Sequence, residues 1–257
     1  MPVYKDAHHL PLQLWIVRHG ESAVNVARDQ AMAAQALRID IEGRDVDVPL
    51  SALGEQQADA LGKWFAERAN KADAIFASPY RRAQQTAQRI KDAGGVADAK
   101  LDLMIDERLR EKEFGILDGL TVSGIKQEFP DQATHRALLG KFYHRPPGGE
   151  SWCDVILRLR SMIDTLSLHY AGKRVLIVTH QVVVLCLRYL LEDLDEAEIL
   201  AIDRAGDVAN CGVTEYRRSR SEASQAGFAL RRYNYVLPLR KEGAAVTAQP
   251  DSKAPAP

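Results

Sequence analysis

An arginine and a histidine stand side by side where a short apolar run ends, in Leu14-Trp15-Ile16-Val17-Arg18-His19-Gly20-Glu21-Ser22. An imidazole beside a fixed cation is equipped to attack a phosphoryl group, because the guanidinium neutralises the oxygens that the nucleophile must approach. On this fragment alone, a packed core histidine near a surface arginine accounts for the pattern equally well. Three further fragments shift the balance. Arg174-Val175-Leu176-Ile177-Val178 ends in Thr179-His180-Gln181, so a second apolar run finishes on a histidine. Ala74-Ile75-Phe76-Ala77 leads into Ser78-Pro79-Tyr80-Arg81-Arg82-Ala83-Gln84-Gln85-Thr86-Ala87. Leu109-Arg110-Glu111-Lys112-Glu113-Phe114-Gly115 adds carboxylates in a loop-like stretch. Two histidines, two arginines and an acid form a set suited to phosphoryl transfer without a metal.

These groups need elements that hold them at one place. The apolar runs predict strands near 12–17, 73–77, 101–105 and 174–178, with two more late in the chain. Helical patterns fall near 51–70, 79–93, 121–129, 132–142, 151–169 and 181–192. Ser51 is a plausible helix start, with Ala58, Leu61, Trp64 and Phe65 on one core-facing side. Ser78 reads as an N-cap with Pro79 at the first helical position, which would aim free N–H groups at an anion. Consecutive helical residues diverge by about 100°, so only one of Arg81 and Arg82 can face a common site. Strand–helix alternation predicts a doubly wound sheet, with ligands bound at the strand ends.

Composition bounds the rest. At 257 residues with 46% hydrophobic side chains, the chain can bury one substantial α/β core. A formal charge of −1 gives no reason to expect nucleic acid or an anionic membrane as the main partner. Cys153, Cys186 and Cys211 are few, odd in number and outside any metal-ligand spacing, so they read as small reduced core residues in a cytoplasmic protein. The N-terminus lacks a secretory pattern, and Val175 to Leu191 is too interrupted to span a membrane. His8-His9 makes a poor metal cage. The segment 217–220, rich in arginine, reads as a solvated hairpin tip. One domain is expected over 1–240, with 241–257 too poor in apolar residues to fold and read as a disordered tail.

In order along the chain, Arg18-His19-Gly20-Glu21-Ser22, Ser78-Pro79-x-x-Arg82-Ala83-x-Gln85-Thr86, Leu109-x-Glu111-x-x-x-Gly115, Pro147-Gly148-Gly149-Glu150-Ser151 and Thr179-His180 resemble the signature of the histidine phosphatase (phosphoglycerate mutase-like) superfamily. The resemblance extends to the Cys211-Gly212-Val213-Thr214 strand. It implies a three-layer α/β/α sandwich with a mostly parallel central sheet, and it selects Arg82 over Arg81. His19 would be the nucleophile that forms a phosphohistidine, attacking as the neutral imidazole with its other nitrogen held by backbone. Arg18, Arg82 and His180 would surround the phosphoryl oxygens, His180 as imidazolium favoured by the phosphate dianion. Glu111 matches the proton donor to the leaving oxygen; Glu113 is the rival, with a structural salt bridge as its simpler role. Asn25 and Ser22 are candidates for phosphate hydrogen bonds, with helix capping as the alternative. No metal and no organic cofactor is implied.

The substrate expected is a small phosphorylated metabolite, and the reaction its hydrolysis as a phosphomonoester. Gln181 and Arg145 are similar to sugar-bisphosphate contacts of the fructose-2,6-bisphosphatase branch, although Gly149 and Leu185 stand where that branch carries cations. A phosphoglycerate mutase would need a basic insertion, yet 121–142 holds only Lys126, Arg136 and Lys141, mixed with acids. A non-catalytic phospho-ligand binding module is the alternative of a different class. A homodimer is left open. Residues 27–48 are expected to form a lid with 121–145, with Arg44 either meeting the substrate's distal group or making an ordinary loop salt bridge.

Overall fold

Every side chain of Gln13–Arg18 is buried, because this strand (β1) lies inside a sheet covered on both faces. The chain is described here from a computed structural model over residues 9–67, 71–219 and 227–248. Among them β2 (Ala74–Ala77), β3 (Leu103–Ile105), β4 (Arg174–Thr179), β5 (Val213–Arg218) and β6 (Phe228–Tyr235) complete a six-stranded sheet in the order β3-β2-β4-β1-β5-β6. Strands β1 to β4 are parallel, whereas β5 and β6 extend the sheet antiparallel.

Period-two alternation divides the core into two layers. Leu14 and Ile16 face one way with Val175 and Ile177, against α6 (Trp152–His169) and α7 (Gln181–Leu191). Trp15 and Val17 face the other way with Leu176 and Val178, against α2 (Ala52–Ala66) and α3 (Arg81–Asp92). The result is the α/β/α sandwich. Ser51 caps α2 by accepting from the Gly54 amide at 3.0 Å, as its position predicts. Trp15 and Phe65 meet edge to face at 5.3 Å. Cys186 and Cys211 are buried in the two layers.

Several elements differ from the sequence expectations. Helices α1 (Ala23–Ala33) and α8 (Glu196–Ala205) lie outside the helical ranges expected from the sequence. The pair α4 (Val122–Glu128) and α5 (Pro130–Tyr143) falls where short helices are expected. Helix α3 starts at Arg81 with Tyr80 as its N-cap, so Ser78 is not a cap. The tail also differs. After α9 (Leu237–Lys241), the Asn210 amide donates to the Thr247 carbonyl at 2.8 Å, and Gln57 donates to the Ala245 carbonyl at 2.9 Å. Backbone and side-chain hydrogen bonds to distant residues hold this polar stretch, with Ala244 packed against the core, which composition cannot show. Residues 241–248 therefore belong to the fold, while 249–257 lie outside the described residues, as does His8.

Two glycines set how closely α2 approaches the exit from β1. A Cβ on Gly54 would sit 1.8 Å from the Glu21 carbonyl oxygen, and one on Gly20 would sit 2.6 Å from the Gly54 oxygen. Gly54→Ala is expected to lower stability by about 1–3 kcal/mol through overpacking. A fall in the urea midpoint checks this; an unchanged midpoint would show that the start of α2 can shift freely.

Candidate active site

Register places the two histidines together. Arg18 at the end of β1 pairs with Thr179 at the end of β4, and the His19 amide donates to the Thr179 carbonyl at 2.8 Å. His19 and His180 follow directly, with ring centroids 5.0 Å apart in an edge-to-face contact. From the next strand, β2, the chain enters α3 and brings in Arg82, 4% exposed, while its neighbour Arg81 is on the surface. Arg82 Nε lies 3.2 Å from His19 Nε2.

The tautomer of His19 follows from its partners. Nδ1 lies 2.7 Å from the Gly20 carbonyl, which can only accept, so Nδ1 carries the hydrogen. Nε2 is then the lone-pair nitrogen, and it receives the Arg82 donor. Burial, followed by the charges of Arg82 and Arg18, holds the His19 imidazole well below its ordinary pKa, outweighing the Gly20 hydrogen bond. Asn210 fixes the same turn by donating to the His19 carbonyl at 3.1 Å.

His180 is fully buried, with Nε2 2.7 Å from Ser78 Oγ. Its Nδ1 makes no hydrogen bond and lies 4.0 Å from Glu111 Oε2. Burial, then Arg82, His19 and Arg18, depress its pKa well below the ordinary value. An imidazolium at this position therefore depends on negative charge brought in by a ligand. Ser78 is a residue whose sequence context pointed to the wrong role: it serves His180, not the helix.

Glu111 and Glu113 separate clearly. Glu111 is 7% exposed and lines the cavity beside His19 and Arg82, with Oε1 accepting from the Lys112 amide at 2.8 Å. Glu113 is half-exposed, 3.8 Å from Arg110 and outside that wall. The acid loop is held by Arg158, which donates to the carbonyls of Arg108, Arg110 and Glu111 and to Glu150. Burial alone would raise the Glu150 carboxyl, but Arg158 and then Arg110 hold it below its ordinary value. Arg158 was missed in the sequence; it lies on α6 and reaches back to Glu150, just before the helix. Lys112 is buried and held down to about 8, by desolvation first and then by Arg136.

Four substrate candidates fare unequally. Asn25 lines the cavity, but its amide oxygen accepts from the Ser22 amide and hydroxyl at 3.0 and 2.8 Å. Ser22 is the N-cap of α1 and lies off the cavity wall, so the pair forms a capping box. Gln181 is buried behind Arg18, accepting from its guanidinium at 3.0 Å and donating to Asp207 at 2.9 Å. Arg145 is ion-paired with Asp154 on α6 and does not line the cavity. Gln181 and Arg145 are thus each held by an acid, Asp207 and Asp154, and neither is among the residues lining the cavity.

The cavity itself measures only about 30 Å³. Its outer wall comes from Val24, Arg28, Ile39, Ile41, Asp45, Phe114 and Asp118. Of the expected lid, Arg28, Ile39, Ile41 and Asp45 from 27–48 line the cavity and no residue of 121–145 does; the Ile39 amide donates to the Gly119 carbonyl at 2.8 Å and Thr121 Oγ1 to the Ala36 carbonyl at 2.7 Å. Arg44 makes the ordinary loop pair, with Asp47 at 2.8 Å.

The chain matches the histidine phosphatase superfamily (branch 1) over residues 14–231. It belongs to this family. Within the superfamily it is 33% identical over 199 residues to a 6-phosphofructo-2-kinase/fructose-2,6-bisphosphatase of Caenorhabditis elegans, an alignment covering 77% of this chain but only 38% of that longer protein. It is 36% identical over 180 residues to a probable phosphoglycerate mutase of an Enterobacter species, covering 68% of this chain and 73% of the relative. Among solved structures of the histidine phosphatase fold, a mycobacterial glucosyl-3-phosphoglycerate phosphatase superposes with a TM-score of 0.66 at 26% identity, covering 86% of this chain and 98% of the other. Phosphoryl-transfer or hydrolase chemistry is the common ground of these relatives. No helix among the described residues is long and apolar enough to cross a membrane.

Proposed function

We propose that this protein is a cytoplasmic phosphomonoesterase that hydrolyses a small phosphorylated metabolite through a phosphohistidine on His19, without a metal. The observation that carries the reading is the His19 Nε2 lone pair, held in a buried cradle with Arg82 at 3.2 Å and Glu111 on the same cavity wall. Nε2 attacks phosphorus, and the bond to the leaving oxygen breaks as that oxygen takes the Glu111 proton. Water then attacks the phosphohistidine, returning a proton to Glu111 and freeing phosphate. Arg18 and Arg82 supply fixed positive charge for the phosphoryl oxygens. His180 Nδ1, a buried atom without a hydrogen bond, finds its partner in one of those oxygens.

A sugar bisphosphate is the less supported substrate. Gln181 and Arg145 are both engaged by acids, Asp207 and Asp154, and neither lines the cavity as a second phosphate pocket would require. Phosphate release from a panel of phosphomonoesters in the presence of a chelator tests the reading. Turnover of at least one compound, with an acid-labile, base-stable phosphoenzyme trapped on rapid quenching, is the expected result. Transfer that occurs only with a bisphosphate primer would replace it with the mutase reading.

A further inference from the structure

Asp45 has no place in the signature fragments, yet its carboxylate sits on Arg82. All three nitrogens of Arg82 are occupied from within the chain. Nε donates to His19 Nε2 at 3.2 Å; Nη1 donates to the Asp45 carbonyl and to its Oδ1 at 2.8 and 2.9 Å; Nη2 donates to Oδ2 at 3.0 Å. The Asp45 carboxylate thus lies across the edge of the guanidinium that a planar fork offers to two oxygens of an anion. A phosphoryl group reaching Arg82 must take these bonds from Asp45.

Space gives the same result by a separate route. The cavity of about 30 Å³ has room for about one water molecule, far below the hundreds of Å³ of an open ligand pocket. Asp45 is part of its wall. It opens a short 3-10 turn, Asp45–Asp47, on the surface side of the lid, following Gly43 at φ +81° with nothing near its Cβ position. The flanks are tied down: Val48 and Ile39 pack with Val24 and Ala31, and the Leu50 amide donates to Gln85 at 2.8 Å. The turn between those anchors is the part of the wall with exposed neighbours, Arg44 and Asp47.

We propose that Asp45 is a specificity-determining residue, an internal anion seated on Arg82 that only a dianionic phosphomonoester displaces. The proposal rests on the reading of Arg82 as a phosphoryl ligand. Its logic is charge exchange. A carboxylate or a phosphodiester carries one negative charge, so it replaces Asp45 like for like and gains nothing. A phosphomonoester carries nearly two near neutral pH and gains a second charge against Arg18 and Arg82. Asp45 therefore raises the charge an anion needs to enter.

The test compares the native chain with Asp45→Asn and Asp45→Ala, using inorganic phosphate as ligand in calorimetry and formate as a monoanion probe. Asn keeps the size of the side chain and removes its charge. Both variants are expected to bind phosphate roughly tenfold more tightly, the scale of one removed competing charge in a half-screened site. Formate should inhibit turnover in the variants at concentrations that leave the native chain unaffected. Arg44→Ala, which removes only the exposed neighbour, serves as the control for disturbance of the turn and should match the native chain. Phosphate binding that is unchanged or weaker in both variants overturns the proposal, since Asp45 would then be aligning Arg82 rather than competing for it. Binding is read without turnover, so failure of the phosphohistidine reading alone, seen as a phosphoenzyme not on His19, leaves this comparison decisive. If neither native chain nor variants bind phosphate, Arg82 is not a phosphoryl ligand and both readings fall.

Discussion

Replacement of His19 by Ala is expected to reduce kcat by at least about 10⁴-fold, the scale of deleting a nucleophile from a covalent mechanism. No other nitrogen in the site can take over its task. His180 engages Ser78 through Nε2, and its Nδ1 lies toward Glu111; the remaining nitrogens belong to guanidinium groups that do not deprotonate. The variant should bind inorganic phosphate while forming no acid-quenched phosphoenzyme, which separates loss of chemistry from loss of the pocket. Trapping of an undiminished phosphoenzyme in His19→Ala would move the nucleophile elsewhere. A second readout concerns pH. Because burial and two arginines hold His19 well below 6.5, the folded chain keeps it neutral while the unfolded chain takes up a proton. Folding stability must then fall as pH drops below about 6.5, since the unfolded state binds more protons there. His180 is depressed in the same direction and adds to the slope. His19→Ala should flatten part of it, measured as the difference in urea midpoint between neutral and mildly acidic buffer.

The strands and most helices were legible because burial on both faces leaves continuous apolar runs. Leu14 to Val17 and Val175 to Val178 show this directly, and their common end explains why two distant histidines meet. What escaped was mostly polar organisation. Ser78 sits before a proline in a context that suits an N-cap, yet its hydroxyl is drawn to a buried imidazole 102 positions away, a contact no local pattern records. Asp45 sits in a polar loop between helix and strand-like signals, and only the folded lid brings it onto Arg82. Arg158 was hidden for a different reason: on a helix whose apolar face dominates the pattern, one arginine looks like solvent-facing surface. The segment 241–248 was lost because hydrogen bonds from distant Gln57 and Asn210 hold it, and no local pattern records them.

The same limit explains the substrate residues. Gln181 and Arg145 were attractive by position relative to the motifs. Position specifies where the backbone lies, however, not which acid a side chain finds first. Arg145 meets Asp154 on α6, and Gln181 bridges Arg18 to Asp207. Gln181 still touches the cavity wall indirectly, because it accepts from the Arg18 guanidinium. The outer wall of Ile39, Ile41 and Phe114 with Arg28 and Asp118 is instead where the alcohol part of a substrate would lie.

Glu111→Gln is expected to divide substrates by their leaving groups. If Glu111 gives its proton to the departing oxygen, its loss should lower kcat/KM for an alkyl phosphate by about 10²–10⁴-fold, the usual range for a general acid. With p-nitrophenyl phosphate the leaving phenolate needs no proton, so the loss should stay below about tenfold. Gln preserves the shape of the side chain and its acceptor for the Lys112 amide, so the loop held by Arg158 should not collapse. Glu113→Gln, altering a half-exposed carboxylate paired with Arg110, should change both substrates by less than about threefold, as an exposed ion pair contributes little. The pair of variants decides between the two acids. A leaving-group-dependent loss in Glu113→Gln would transfer the role. An equal loss for both substrates in Glu111→Gln would make Glu111 a shaper of the pocket, and the proton would have to come from another source such as solvent or His180, whose Nδ1 lies 4.0 Å from that carboxylate.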